Sequence, residues 1–84
     1  MYLLCQNKVE NYQRWRQIFD SEANAQRDAG LKLEYIWRDI NEQNSVFFLF
    51  SVENFESAKA FLNAPITKEQ AKRSGVIDGE YYFL

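Results

Sequence analysis

The run Val46-Phe47-Phe48-Leu49-Phe50 is apolar at odd and even positions alike. Successive side chains of a strand point to opposite faces of its sheet, so this strand must be covered on both sides. A chain of 84 residues can lay helices over one face only. The other face then needs a partner, and a second copy of the same chain is the nearest candidate. A single domain of this size lies near the lower limit at which one core outweighs chain entropy without disulfides or metals, and dimerisation relieves that limit.

The rest of the chain supplies the neighbours of that strand. Tyr2 to Gln6 reads as a short strand, with Leu3, Leu4 and Cys5 apolar toward both faces. Asn7 and Glu10 have the form of a capping box and predict a helix start. Val9, Tyr12, Trp15, Phe19 and Ala23 then recur at the spacing of one helical face, and Gly30 predicts its stop. Leu31 to Ile40 alternates as a strand, with Leu33, Tyr35 and Trp37 on one side and Ile36, Arg38 and Ile40 on the other. The polar segment Asn41 to Asn44 joins it to Ser45–Val52 as a hairpin. With Glu42 and Gln43 at the tip, Trp37 faces Phe48, Tyr35 faces Phe50, and Ile36 meets Leu49 on the reverse face.

Asn54 caps a second helix whose inner face is Phe55, Ala58, Phe61 and Leu62. Pro65 ends that segment and starts another, which runs from Ile66 to Ser74 and closes at Gly75. Val76 to Leu84 reads as the last strand. No linker, repeat or low-complexity stretch interrupts the chain, so residues 1–84 read as a single domain. The order strand, helix, strand, strand, helix, strand predicts an α+β, ferredoxin-like βαββαβ fold: a four-stranded antiparallel sheet with its helices on one side. The bare face is left for a homodimer.

Composition narrows the function. Ten basic and twelve acidic residues give a net charge of -2 without a block of either sign, so the phosphate-binding stripe of a nucleic-acid protein is missing. RNA-recognition domains share this strand order, but the third strand lacks their Arg/Lys-Gly start, and no nucleic-acid partner is expected. No apolar run approaches the ~20 residues of a membrane span, and the amino end lacks a basic region followed by a long apolar stretch. No membrane partner is expected, and the chain reads as cytoplasmic. The lone cysteine, Cys5, fits a reducing compartment and a buried small side chain.

Histidine is absent altogether. That removes the commonest general base, the Ser-His and Cys-His nucleophile pairs and most zinc sites. Asp20, Glu22, Asp28, Asp39 and Asp78 are dispersed without metal-ligand spacing, and no glycine-rich phosphate loop is present. Neither a metal nor a cofactor is expected.

The segments Lys8-Val9-Glu10-Asn11-Tyr12 with Trp15 and Phe19-Asp20, Arg38-Asp39, Ala58-Lys59-Ala60-Phe61-Leu62 and Pro65, with the ending Gly75-Val76 to Tyr82-Phe83, resemble small proteins of the dimeric α/β-barrel superfamily. Within it the chain is similar to short, uncharacterised members akin to the antibiotic-biosynthesis monooxygenases, some of them labelled cyclases. The resemblance implies two ferredoxin-like subunits packed sheet to sheet. The superfamily spans cofactor-free oxygenases, haem-degrading enzymes, isomerases and proteins without known activity, so fold alone selects no chemistry. A haem-degrading site would need a histidine beside Asn24, Trp15 and Trp37, and the chain has none.

A cofactor-free oxygenase needs only a dry pocket, an oriented polar donor and a cation near the substrate's developing charge. Tyr12, Trp15, Tyr35, Trp37, Arg38 and Phe48 are the candidate substrate-binding residues, and no catalytic residue is assigned. Each ring also reads as core. Arg38 also reads as half of an ion pair with Asp39, Glu34 or a partner-chain carboxylate. The expected function is a cofactor-free, monooxygenase-like enzyme acting on a small aromatic or polyketide-like compound. The alternative is a non-catalytic homodimeric module that binds a small apolar ligand or a protein partner.

Overall fold

In the computed structural model, which describes residues 1–84, the elements are β1 (Tyr2–Val9), α1 (Tyr12–Ser21), α2 (Ala23–Asp28), β2 (Leu31–Arg38), β3 (Ser45–Val52), α3 (Phe55–Asn63), α4 (Pro65–Arg73) and β4 (Val76–Phe83). The four strands form one sheet in the order β2-β3-β1-β4, with every pair antiparallel. This is the ferredoxin-like α+β arrangement, with the second helical segment broken at Pro65 as its fixed φ and missing N–H require.

The central strands carry the core. Leu3 and Cys5 pair with Phe50 and Phe48, and these residues, with Val46, Val9 and Leu31, are buried against Trp15 and Phe19 of α1 and Ala58 of α3. Trp15, Phe19, Phe48 and Phe50 form a continuous ring cluster with centroids 4.7–6.1 Å apart. Leu4, Phe47 and Leu49 alternate with these residues and point to the other face, where no helix lies.

Three local expectations are corrected. The first strand runs on to Val9, because Val9 N–H donates to Asn44 O at 2.8 Å and Glu10 N–H donates to Gly75 O at 2.9 Å. The helix cap is therefore Asn11, whose Oδ1 accepts from Arg14 N–H at 2.9 Å, and not Asn7. The first helix is itself broken at Glu22, whose N–H turns back to Phe19 O at 3.1 Å, a tightened turn before α2 begins.

The hairpin register also differs by one residue. Trp37 pairs with Phe47, Ile36 with Phe48 and Tyr35 with Leu49, while Leu33 pairs with Phe50. The connection is wider than a two-residue tip. Asp39 Oδ1 accepts from the N–H groups of Asn41 and Glu42, and Asp39 N–H closes onto Ser45 O. Glu34 is the extra residue of a bulge, and it splits the apparent Leu33, Tyr35, Trp37 alternation. Leu33 stays on the helix side; Tyr35 and Trp37 turn to the open face.

Gly30 and Gly75 hold φ of 77° and 82°, and each ends a helical segment in the left-handed region that glycine enters without strain.

Candidate functional site

Between the helices and the sheet lies a cavity of about 340 Å³. Its floor is Cys5, Phe48 and Phe50; α1, α2 and the turn between them contribute Trp15, Phe19, Glu22 and Gln26; α3 and α4 contribute Phe61, Leu62, Thr67 and Ala71. The exposed residues Lys68, Gly79, Glu80 and Tyr81 form its solvent side. A larger recess of about 470 Å³ at Gly30 and Ser51 is walled by Arg27, Lys32 and Glu53, with only Leu31 and Val52 apolar. The smaller cavity is the better ligand site, because an apolar wall with a few inward polar groups supplies both burial and orientation.

Those polar groups are specific. Gln26 is only 6% exposed. Thr67 Oγ1 is buried without a hydrogen-bond partner. Leaving such a group unpaired costs about 1–3 kcal/mol, a cost that a ligand or ordered water in the cavity would offset. Burial pushes the Glu22 carboxyl above its ordinary range, and the charge of Arg73 pulls it partly back. Burial likewise pushes the Cys5 thiol up to about 12. Cys5 is therefore a protonated, inert part of the floor at neutral pH.

The structure divides the six residues singled out from the sequence. Trp15 and Phe48 line the cavity and are also core, their ring centroids 5.5 Å apart. Tyr12 packs behind Trp15 at 5.9 Å. Arg38 lies over the Tyr12 ring with its guanidinium carbon 3.9 Å from the centroid, and its Nε donates to Gln43 O at 3.0 Å. Within the chain Arg38 pairs with neither Asp39 nor Glu34; the single salt bridge is Arg16 to Asp20 at 2.9 Å. Tyr35 and Trp37 stack at 5.1 Å on the opposite face of the sheet, 59% and 47% exposed, away from Trp15 and Phe48.

Glu22, Gln26 and Thr67 are the residues that sequence reasoning passed over. The signal was present: Trp15, Phe19, Glu22 and Gln26 continue one helical stripe at spacings of four, three and four. Two polar residues on an apolar stripe mark either a cavity or a buried network. Thr67 and Ala71 repeat the pattern one turn apart on α4.

No protein-family model matches the chain, and no curated protein matches it significantly in sequence. Solved structures do match in shape. A candidate antibiotic biosynthesis monooxygenase from Bacteroides thetaiotaomicron superposes with a TM-score of 0.71 at 16% identity, over 100% of this chain and 86% of that one. SnoaB, a cofactor-independent oxygenase from Streptomyces nogalater, superposes in a variant form with a TM-score of 0.70 at 12% identity, over 99% of this chain and 90% of that one. A NIPSNAP family protein of unknown function from Agrobacterium tumefaciens gives a TM-score of 0.72 at 11% identity, over 99% and 84%. At these identities the likeness is one of fold, and the fold of this chain is the ferredoxin-like α+β fold of the antibiotic biosynthesis monooxygenase-like proteins.

Proposed function

We propose that this protein binds a small aromatic compound in the cavity between helices and sheet and acts on it as a cofactor-independent monooxygenase. The observation that carries the reading is the ring-walled cavity with Glu22, Gln26 and Thr67 turned toward it. An electron-rich aromatic that reacts with oxygen as its own anion needs a water-poor site and a group to take its proton. Glu22, its pKa raised by burial, is suited to the second task. The volume of about 340 Å³ lies at the lower end of the ~300–1,000 Å³ range of ligand sites, which favours compounds of one or two rings.

Oxygen uptake measured with hydroquinones and naphthalenediols tests the reading. Uptake that saturates with substrate and disappears in Ala71→Phe, which puts a ring into the cavity, is the expected result. Saturable binding without uptake in any of these compounds would favour the non-catalytic ligand-binding alternative.

Assembly is the second part of the reading. The open face carries Tyr35, Leu49, Leu4 and Tyr82 in one row across the sheet, with Trp37 and Phe47 in the next. Lys8 and Asp78 pair at one end of this face and Lys32 lies at the other. An apolar centre with charges of both signs at its margins is self-complementary, as a two-fold interface requires. A second copy of the chain is the proposed partner.

A further inference from the structure

The cavity brings together polar side chains with no protein partner: Glu22, Gln26 and Thr67 from the helix side and Asn7 from β1. None of the side-chain hydrogen bonds of the chain involves Glu22 or Gln26, and Thr67 Oγ1 is buried and unpaired. Glu22 and Gln26 are one helical turn apart, joined through their backbones by Gln26 N–H to Glu22 O at 2.9 Å, so both reach the cavity from the same side. Thr67 reaches it from α4. The apolar wall can bind many compounds; these groups decide which.

We propose that Glu22 is the specificity-determining residue of the cavity: as a carboxylate it accepts a hydrogen bond from a neutral ligand bearing an O–H or N–H, and it excludes a ligand bearing an anionic group. The proposal rests on the cavity being the ligand site. A carboxylate offers only acceptors, so an ether in place of the hydroxyl leaves it desolvated and unpaired. A like charge in a poorly solvated site is disfavoured more strongly still. Gln26 offers an acceptor and donors, and Thr67 a hydroxyl, to a carbonyl or second hydroxyl on the same ligand.

The other charged and titratable groups around the cavity leave this assignment in place. Arg73 of α4 acts on Glu22 through space and favours its ionised form. Lys68 of α4 stands on the solvent side beside Tyr81, while the Glu80 carboxylate of β4 accepts from Tyr82 O–H at 2.7 Å on the open face of the sheet. Cys5 of β1 is held neutral by burial. The partly buried charge is Glu22, and its carboxyl titrates above the ordinary range. Exclusion of anions is therefore present above that raised pKa and lifts as pH falls through it.

Three ligands of one shape separate the effects: 2-naphthol, 2-methoxynaphthalene and naphthalene-2-sulfonate, the last ionised at every working pH. Equilibrium dialysis against the full chain gives the dissociation constants. The expected result at pH 7 is 2-naphthol held roughly ten- to hundredfold more tightly than the methyl ether, the scale of one hydrogen bond to a charged group, with the sulfonate not retained. In Glu22→Gln the sulfonate binds, its binding no longer depends on pH, and the preference for naphthol narrows. Glu22→Asp, which keeps the charge, leaves exclusion intact.

Retention of the sulfonate by the unaltered protein at pH 7, or the same ranking in Glu22→Gln, would overturn the role of Glu22 while leaving the cavity as a ligand site. Failure of all three ligands to bind would overturn both. Binding with the expected ranking but no oxygen uptake would sink the monooxygenase reading alone.

Discussion

Ionising Glu22 works against the folded state. Its pKa is raised above the ~4.3 of a free glutamate because burial disfavours the charge more than Arg73 relieves it. The native chain therefore holds this proton more tightly than the unfolded chain does. The associated stabilisation is complete below the unfolded value and is lost as pH rises through the folded one. Glu22→Gln, which carries no charge at any pH, is expected to raise the thermal midpoint at pH 7, with the difference closing toward pH 4. Melting curves followed by circular dichroism at the two pH values check this, and a variant that melts lower at pH 7 would contradict the burial of the charge. A cavity carboxylate that costs stability is what a binding role leads one to expect, since strain of this kind persists at functional sites. Trp15 and Phe48 were legible from helical spacing and from the two-sided strand. Glu22 was not, because a lone glutamate on a helix is by default a solvated residue, and only the folded chain shows the cavity beside it.

At the scale of elements, two asparagines compete to start α1, and the packing of the sheet decides between them. Asn7-Lys8-Val9-Glu10 has the capping-box pattern, and Asn11 follows at once. β1 is central, flanked by β3 and β4, and both neighbours supply backbone partners beyond Gln6, so the strand extends and the cap moves to Asn11. Long-range pairing of this sort outweighs a local signal, whereas Asn54, which has no strand neighbour to compete, caps α3 as its sequence predicts, accepting from Ser57 N–H at 2.9 Å. Asn11→Ala should cost about 1 kcal/mol, the usual value of a lost cap, and Asn54→Ala the same. Asn7→Ala, which removes no cap, should cost clearly less. Urea unfolding of the three variants makes the comparison, and equal losses at Asn7 and Asn11 would count against the extended strand. The order of strands and both glycine stops were readable in the same way, from local signals that nothing overrode. The register of the β2–β3 hairpin was not, because a one-residue bulge at Glu34 leaves no mark on the alternation of Leu33, Tyr35 and Trp37.

For the molecule as a whole, that bulge has a consequence larger than its size. It transfers two rings from the helix side to the open face, where Tyr35 and Trp37 stack beside Phe47 and Leu49. The face so formed is broader than β3 alone would provide, and half-exposed tryptophan and tyrosine on its β2 side are residue types that anchor interfaces. The proposed dimer therefore depends on residues that a strict alternation would have assigned to the pocket. Trp37→Glu places a charge on the β2 side of this surface without removing a buried core contact of the subunit. It should weaken association by roughly thirtyfold or more, the loss expected for an anchor worth about 2 kcal/mol. Sedimentation velocity over a concentration series reads the change as a shift from paired to single subunits, with far-ultraviolet circular dichroism confirming that the fold persists. Glu69→Gln, an exposed position of α4 on the helix side, should leave the mass unchanged. If the unaltered chain sediments as a single subunit of 10.0 kDa at micromolar concentration, the open face serves some other purpose. The rings of the second copy would then have to be replaced by another cover for Trp37, Tyr35 and Phe47.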